Sequence, residues 1–330
     1  MSTFSVANCD CPQLVKDFLF YMMTIKGRSP RTVQAYYTDL RFFFRYLQAS
    51  RAGLPLDEEH LNNLAAAATP EELLLGITLS DAYGFLNYVQ TANANNANTR
   101  ARKVSSLRAF YKYLTAKTHL LKENPLKDLE TPSIKRSVPK YLTLEESIKL
   151  LSVVDGPFRE RDYCILTLLL NCGMRLSELV GIRLEHIREN TLVVLGKGNK
   201  ERVIYLNEAC LNAIQAYLAV RQPPAKDAHR TVLLLTKNGT PLGARRVEQI
   251  VEENLQKAGL SGRGFSPHKL RHTAATLMYQ HGVDIRVLKE ILGHVNLATT
   301  EIYTHVANSQ MESAAQKSPL AGVKPPKENK

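Results

Sequence analysis

The chain has 330 residues, 44% of them hydrophobic, which is enough for one large domain or two ordinary ones. Lysine and arginine number 43 against 31 aspartate and glutamate residues, so the formal charge is +12 and the pI about 9.4. This balance favours a polyanionic partner, nucleic acid before an anionic membrane surface. The N-terminus has no basic-then-apolar leader pattern, and the longest apolar run falls short of the roughly 20 residues that span a bilayer. We therefore expect a soluble cytoplasmic protein, associated with the nucleoid and without a membrane partner.

The five cysteines form an odd, scattered set that does not resemble a disulfide framework. Cys9 and Cys11 make a C-x-C pair that can bind a metal ion. No second pair lies near them, so the sequence predicts no metal site there.

Only helices are predicted from Gln13 to about Lys117. In "RSPRTVQAYYTDLRFFFRYLQ", Ser29 is suited to the N-cap and Pro30 to the first helical position. The apolar residues of this segment repeat with a period of 3.6, which predicts an amphipathic helix. Arg41 and Arg45 lie largely off the apolar stripe, and we expect them to contact DNA.

The segment "NTRARKVSSLRAFYKYLTAK" predicts a second amphipathic helix, whose apolar face includes Val104, Leu107 and Phe110. It contains many cations and no acid, whereas solvated helices usually mix charges of both signs. The sequence therefore favours a DNA-facing helix over an ordinary solvated one. The predicted DNA contacts on it are Arg100, Arg102, Lys103, Arg108 and Lys112.

The remaining boundaries follow from composition. Residues 50–76 are a long, partly helical connection with no assigned role, and residues 118–140, rich in proline and charge, are predicted to be a linker. The second domain begins at "LTLEES", where Thr143 and Glu146 suit a capping box. We therefore predict an N-terminal helical domain at 1–117, a second domain at 141–308, and a C-terminal tail at 309–330.

The second domain mixes helices and strands. "RDYCILTLLLNCGMRLSELVG" predicts a buried helix that breaks at Gly173, and "TLVVLGKGNKERVIYL" predicts a hairpin. "TVLLLT" followed by "KNG" predicts a third strand, and helices return from Arg245 onward. The expected fold class is an all-α N-terminal domain joined to a mainly α domain with a small antiparallel β-sheet.

Two familiar motifs are excluded by their context. "GKGNK" resembles a phosphate-binding loop, but the Walker motif needs a longer spacing and leads into a helix, whereas a strand follows here. His268 and His272 have the i, i+4 spacing of a zinc-binding helix. Lys269 stands where that motif has its glutamate and Arg271 would repel a cation, so no metal is predicted.

The polar residues of this domain instead suggest an anion site. "SPHKLRHTAATLMYQHG" places cations in the first turn of a helix, where the dipole opposes them unless an anion is bound. Glu178, one turn after Arg175, can orient that guanidinium, and Lys197 lies at the predicted hairpin tip. His268 and Arg271 share one helix face. "LGHVNLATTEIYTHV" adds His294 and Tyr303.

The segments "GMRLSELVGI", "GKGNKERVIYL", "SPHKLRHTAATLMYQHG" and "LGHVNLATTEIYTHV" resemble the signature boxes of tyrosine recombinases, in particular the bacterial Xer and phage-integrase type. The resemblance covers nearly all of residues 142–306, and a weaker one relates the N-terminal helices to the family's core-binding domain. It implies a C-shaped clamp on double-stranded DNA, dimers on one site, and a homo- or hetero-tetramer in the synapse. It places the following residues in catalytic positions, with the last as nucleophile: Arg175, Lys197, His268, Arg271, His294 and Tyr303.

The chemistry of phosphodiester cleavage is consistent with this resemblance. Two guanidiniums and a histidine suit the negative charge that develops on the phosphate oxygens. A phenol with a pKa near 10 must lose its proton as it attacks, with His268 as the acceptor, and Lys197 can protonate the departing 5′-oxygen. A 3′-phosphotyrosyl link retains the energy of the broken bond, so no cofactor is expected.

Two alternatives remain at this point. One is a type IB topoisomerase-like enzyme that relaxes DNA by similar chemistry, and the other is a non-catalytic DNA-binding accessory factor. The separate N-terminal helical domain favours site-specific strand exchange over relaxation. The complete polar set argues against a mere binder, which needs no tyrosine beside the phosphate. Neither the recombination site nor the choice between chromosome-dimer resolution and mobile-element integration or excision follows from the sequence.

Overall fold

Two units make up the chain in the computed structural model, Met1–Arg136 and Ser137–Lys330. The structure describes residues 4–92, 96–133, 140–195 and 201–293. The described helices of the first unit are α1 (Gln13–Thr24), α2 (Pro30–Arg51), α3 (Glu58–Asn63), α4 (Glu71–Leu75), α5 (Leu79–Thr91) and α6 (Ala97–Ala116). The second unit contains α7 (Leu144–Ser152), α8 (Arg159–Cys172), α9 (Leu176–Val180), β1 (Ile187–Arg188), β2 (Thr191–Leu195), β3 (Glu201–Tyr205), α10 (Glu208–Val220), α11 (Ala244–Lys257), α12 (Pro267–Gln280) and α13 (Ile285–Leu292).

All regular secondary structure in the described part of the first unit is helical, as predicted. The Ser29 hydroxyl accepts a hydrogen bond from the Thr32 N–H at 3.3 Å and Pro30 opens α2, so the predicted cap is confirmed. The apolar stripes of α2 and α6 pack together with α1 and α5 around a core rich in phenylalanine. Residues 50–76 contain the short helices α3 and α4, which pack against the same core.

The first unit extends beyond Lys117. Leu126 and Leu129, in the segment predicted to be a linker, are fully buried in its core. The apolar side chains in this proline-rich stretch therefore pack on the helices, although the stretch itself has no helical period.

The second unit begins with the predicted capping box. The Thr143 hydroxyl accepts from the Glu146 N–H at 3.2 Å, and the Glu146 carboxylate accepts from the Thr143 N–H at 3.0 Å. The second half of helix α8, from Cys164 to Leu170, is buried, and the helix ends at Gly173, whose φ of 56° is left-handed. A glycine tolerates that conformation without steric cost, which turns the chain sharply ahead of Arg175.

The sheet is small and antiparallel, in the order β1-β2-β3. Thr191 pairs with Tyr205 and Leu195 with Glu201, which confirms the predicted hairpin. The third strand predicted at "TVLLLT" is wrong, because that segment makes only isolated bridges, and β1 is the third strand instead. Leu233, Leu234 and Leu235 are all buried rather than alternating, so the run packs as an irregular core segment.

All five cysteines are buried free thiols. No helix within the described ranges has both the length and the apolar character to cross a bilayer.

Candidate active site

The Glu178 carboxylate lies at the centre of the candidate site. Its side chain is 1% exposed, and Arg175 binds it both through its backbone N–H and through Nη1, each at 2.7 Å. Arg202 on β3 binds it through Nη2 at 2.7 Å, and Nη1 of Arg271 lies 4.0 Å away. Burial alone would raise the pKa of Glu178, but hydrogen bonds from Arg202 and Arg175 outweigh it and hold the pKa below its ordinary value. The negative charge of Glu178 is therefore surrounded by the guanidiniums of Arg175, Arg202 and Arg271.

The same three arginines bind the C-terminal end of α13. Arg202 donates from Nη1 to the carbonyl of Ile291, Arg271 from Nη2 to that of Leu292 at 2.6 Å, and Arg175 from Nη2 to that of Gly293 at 3.0 Å. These carbonyls have no partner within their helix, and the negative end of the dipole favours cations there. The end of α13, which precedes His294, is therefore fixed by side chains from three other elements.

The two arginines predicted to bind phosphate differ in exposure. The Arg175 side chain is 31% exposed, so its guanidinium can reach a ligand from solvent. The Arg271 side chain is only 4% exposed, and its Nη1 also donates to the carbonyl of Gly173 at 2.6 Å. Arg271 thus links α12, the break after α8, and α13.

His268 and His272 on α12 form a close pair. Their Nε2 atoms are 3.2 Å apart and their rings meet edge to face, so one ring donates to the other. Burial, followed by the charges of Arg271, Lys269 and Arg175, lowers the pKa of His268. Burial and the neighbouring charges also lower the pKa of His272 to about 4. The first turn of α12 therefore carries less positive charge at neutral pH than its composition indicates. Ser266 occupies the N-cap position, but its side chain makes no capping hydrogen bond.

The described residues bring four of the predicted site residues together: Arg175, Glu178, His268 and Arg271. Lys197, His294 and Tyr303 lie outside the described residues. Lys197 belongs to the segment that joins β2 to β3, and His294 directly follows the Gly293 cap.

Arg202 is a site residue that the sequence analysis missed. Its side chain is only 11% exposed. Side chains alternate along a strand, so Arg202 shares the inner face of β3 with the buried Ile204. An arginine at a core-facing strand position is the signal that could have revealed a buried carboxylate partner.

The prediction that Lys103 contacts DNA is wrong for the described structure. The side chain is 7% exposed, and its Nζ lies 3.3 Å from the buried carboxylate of Asp39 and 4.7 Å from the centre of the Phe42 ring. Arg102 and Ser106 also bind Asp39. The acid that α6 lacks is supplied by α2, so part of the charge on α6 is structural.

Two further predicted DNA contacts are engaged within the first unit. Arg45 forms an ion pair with Asp10 at 2.9 Å and its side chain is mostly buried. The Arg41 guanidinium lies 5.2 Å from the centre of the Tyr37 ring and donates to its hydroxyl at 3.2 Å. Arg102 is exposed beside its Asp39 partner, and Arg100 is half-buried. Arg108 and Lys112 are exposed on α6, so their predicted contact with DNA stays a prediction.

Within the described residues, no group of three or more histidine, cysteine, aspartate or glutamate side chains is placed to hold a metal ion. Cys9 and Cys11 are both buried in the first core.

The fold and this cluster define a class: a mainly helical protein of two units, in which three arginines surround one buried carboxylate. Two family models match the chain along most of its length. Residues 140–310 match the phage integrase family, and residues 15–118 match the N-terminal SAM-like domain of phage integrases.

Relatives with assigned names agree with these models. The chain is 48% identical to tyrosine recombinase XerC of Caldanaerobacter subterraneus subsp. tengcongensis over 94% of this chain and 88% of that one. It is 33% identical to tyrosine recombinase XerD of Shewanella oneidensis over 93% and 96% of the two chains.

Solved structures support the fold. A XerH site-specific recombinase in a pre-cleavage complex with its difH substrate has a TM-score of 0.65 at 22% identity, covering 96% of this chain and 85% of that one. A lambda integrase dimer bound to a COC′ core site has a TM-score of 0.62 at 16% identity, covering 87% and 95%.

The chain belongs to the phage integrase family, and within it to the Xer-type tyrosine recombinases that its motifs resemble. It is a site-specific recombinase. The similarity to a named recombinase over most of the chain favours this interpretation over the topoisomerase-like enzyme and the accessory factor.

Proposed function

We propose that this protein exchanges DNA strands at a specific site through a covalent 3′-phosphotyrosyl intermediate, with Tyr303 as the nucleophile. The observation that carries the proposal is the convergence of Arg175 and Arg271 on the buried Glu178, with His268 close enough to both arginines for their charges to help lower its pKa, in a chain of this family.

In the proposed reaction, Tyr303 attacks the scissile phosphorus and its phenolic proton passes to His268. A base must be unprotonated to act, and the lowered pKa of His268 keeps that ring neutral at physiological pH. The bond from Tyr303 Oη to phosphorus forms as the bond to the 5′-oxygen breaks. Lys197 protonates that oxygen, which leaves as a hydroxyl.

The arginines neutralise the charge that develops on the non-bridging oxygens. Glu178 holds Arg175 at a defined angle, so little reorganisation is needed when the phosphate binds. Arg271 is nearly buried, and we propose that it supports the phosphate from the protein side, while the more exposed Arg175 binds it from solvent. His294 is proposed to add a further hydrogen bond. Religation reverses these steps with a 5′-hydroxyl from the partner strand.

The reaction is proposed to take place on the chromosome, in an assembly on double-stranded DNA. Strand exchange between two sites needs two protomers on each site and four in the synapse. Relatives named XerC and XerD both match this chain, which supports a tetramer built either from identical chains or from two related ones. The C-terminal tail, residues 309–330, is proposed to contact a neighbouring protomer.

A nicked suicide substrate tests the proposal. Wild-type protein should form a covalent adduct with DNA without added Mg²⁺, because the tyrosine ester conserves the bond energy. Tyr303→Phe removes only the hydroxyl, so DNA binding should persist while the adduct disappears. The readout is the shifted protein band on a denaturing gel.

Tyr279→Phe serves as the matched control, since Tyr279 also lies on α12, towards its far end, where it packs against the small core of Ala275, Leu288 and Leu292. This variant should form the adduct at the wild-type rate. If Tyr303→Phe still trapped DNA, the nucleophile would be another residue and the proposed mechanism would be wrong.

A further inference from the structure

We propose that Arg202 is a positioning residue for strand cleavage, which holds Arg175 and the C-terminal end of α13 in register with one another. The proposal rests on the proposed function, because it assigns a role within that reaction. Arg202 is not one of the residues that the motifs place next to the phosphate.

The geometry carries the first step. The Arg202 guanidinium spans two anchors: it donates from Nη2 to Glu178 Oε2 at 2.7 Å, and from Nη1 to the carbonyl of Ile291. Glu178 is the carboxylate that orients Arg175, and Ile291 lies in the last turn of α13. One planar side chain therefore fixes the distance between the group that orients Arg175 and the helix that leads to His294.

Packing around Gly293 gives the second step. This glycine has a φ of +62°, and a Cβ added to it would lie 2.8 Å from Cδ of Arg202 and 3.8 Å from Nη1 of Arg175. The backbone of Gly293 therefore lies directly against the Arg202 side chain. The absence of a Cβ at Gly293 lets Arg202 and Arg175 pack against the backbone immediately before His294.

The burial of the charge gives the third step. A nearly buried ion pair is often no more stabilising than apolar packing of the same volume. The neighbouring inward position of β3 is the apolar Ile204, so the strand itself does not call for a charge at position 202, and the arginine is there for Glu178 and the end of α13. An arginine is required there only if its directional hydrogen bonds matter, and those bonds lead to the reaction site.

The expected consequence is a slower reaction in the folded protein, in addition to the stability lost when a buried carboxylate loses a partner. Without Arg202, Glu178 loses one of its guanidinium partners and Ile291 loses its donor, so both Arg175 and the end of α13 gain freedom. A misplacement of about 1 Å in a catalytic group can cost about 100-fold in rate. DNA affinity should change little, because Arg202 is buried.

The test uses Arg202→Met, with Arg221→Met as the matched control. Arg221 lies in the same unit and also donates hydrogen bonds to backbone carbonyls, those of Arg230, Val232 and Leu233, at 2.6–3.1 Å. Adduct formation is followed on the suicide substrate with saturating DNA, and the DNA concentration giving half-maximal rate is measured alongside. Under these conditions the amplitude reports the fraction of competent protein, whereas the rate constant reports the geometry of that fraction.

Arg202→Met should react about 100-fold more slowly than wild type, at near-normal amplitude and half-saturating DNA concentration. Arg221→Met should keep the wild-type rate constant. A lowered amplitude at an unchanged rate constant would show a purely structural role and overturn the proposal, as would an equal slowing in Arg221→Met.

If Arg202→Met fails to fold, Arg202→Lys tests the positioning role of Arg202 instead. A lysine keeps the charge but cannot span both anchors, so its rate constant should be intermediate, about 10-fold below wild type. An unchanged rate constant in this variant would overturn the proposal. If neither wild type nor Arg221→Met formed an adduct, the proposed function would be wrong and this inference would fall with it.

Discussion

At the scale of single residues, the histidine pair on α12 makes the site sensitive to acid. With their Nε2 atoms 3.2 Å apart, His268 and His272 cannot both carry a proton without strong repulsion. Arg271 and Arg175 disfavour a charge on His268, and Lys269 disfavours one on either ring. The pair is therefore built to remain neutral where the enzyme works.

This arrangement predicts a loss of stability in acid. The pKa of His272 falls from an ordinary 6.5 to about 4 on folding. Between these values the unfolded chain binds a proton that the folded chain does not, so the free energy of unfolding should decrease as the pH falls from 6.5 towards 4. His272→Gln removes the titrating ring. The difference in Tm between pH 7 and pH 5 should therefore be smaller in this variant than in wild type.

His281→Gln is the control for that comparison, because His281 is exposed just beyond the same helix. It should leave the difference in Tm at the wild-type value. An undiminished difference in His272→Gln would show that the acid sensitivity arises elsewhere.

At this scale, the sequence predicted contacts between near neighbours better than contacts between distant elements. Arg175 and Glu178 are one turn apart, so their ion pair follows from helical spacing, and the structure contains it. Arg202 was missed and Lys103 was assigned to DNA because their carboxylate partners come from elements far away in the chain. A charge pattern on one helix or strand does not reveal what the facing element supplies.

At the scale of elements, α6 combines a structural charge with exposed ones. Lys103 is buried beside Asp39, whereas Lys112 lies on the same helix and is exposed. Burial lowers the pKa of Lys103 and the Asp39 carboxylate opposes that shift, so the lysine is held by its partner.

Substitution of Lys103 should therefore affect stability, whereas substitution of Lys112 should affect DNA binding. Lys103→Met leaves Asp39 buried with fewer donors and should lower the free energy of unfolding by about 1–3 kcal/mol. Lys112→Met should leave stability nearly unchanged, but should weaken DNA binding and reduce the salt slope by about one. Urea unfolding and DNA titrations at several salt concentrations measure the two effects. Equal stability of both variants would contradict the structural role of Lys103.

The end of α13 offers a second test at this scale. Gly293→Ala adds a Cβ within 2.8 Å of Arg202 at a left-handed position, so it should cost about 1–2 kcal/mol in backbone strain and also displace Arg202. Gly262 is also left-handed but has open space around it, so Gly262→Ala should carry the backbone strain alone. Adduct formation should slow only in Gly293→Ala. Similar rates in the two variants would show that the close approach at Gly293 is unimportant for cleavage.

Element types were predictable where periodicity or turn signals were strong. The capped, amphipathic α2 and the hairpin of β2 and β3 follow directly from their patterns. The prediction of a strand at "TVLLLT" was wrong because a short, continuously apolar segment is compatible with a strand and with an irregular buried segment alike. Within the segment 118–140, which was predicted to be a linker, Leu126 and Leu129 pack on the first core without forming a helix, a contact that no periodic pattern could reveal.

At the scale of the whole molecule, each unit has its own hydrophobic core, so each can fold as a domain. The burial of Leu126 and Leu129 also fixes where the chain should be divided. A cut after Lys117 would strip these leucines from their core and leave them exposed on the second fragment. A cut after Arg136 leaves the residues of each core together on one fragment.

The charge of +12 then predicts how DNA binding divides between the units. Each phosphate contact releases counterions, so the slope of log affinity against log salt counts the contacts made. The fragment 137–330 lacks Arg108 and Lys112 on α6 and should bind its site more weakly than the full chain, with a shallower salt slope. The measurement is a titration of site DNA at several salt concentrations with each protein, after circular dichroism has shown that the fragment is folded. A folded fragment with the full chain's affinity and slope would mean that the first unit contributes no phosphate contacts, and the DNA-facing role predicted for α6 would be wrong.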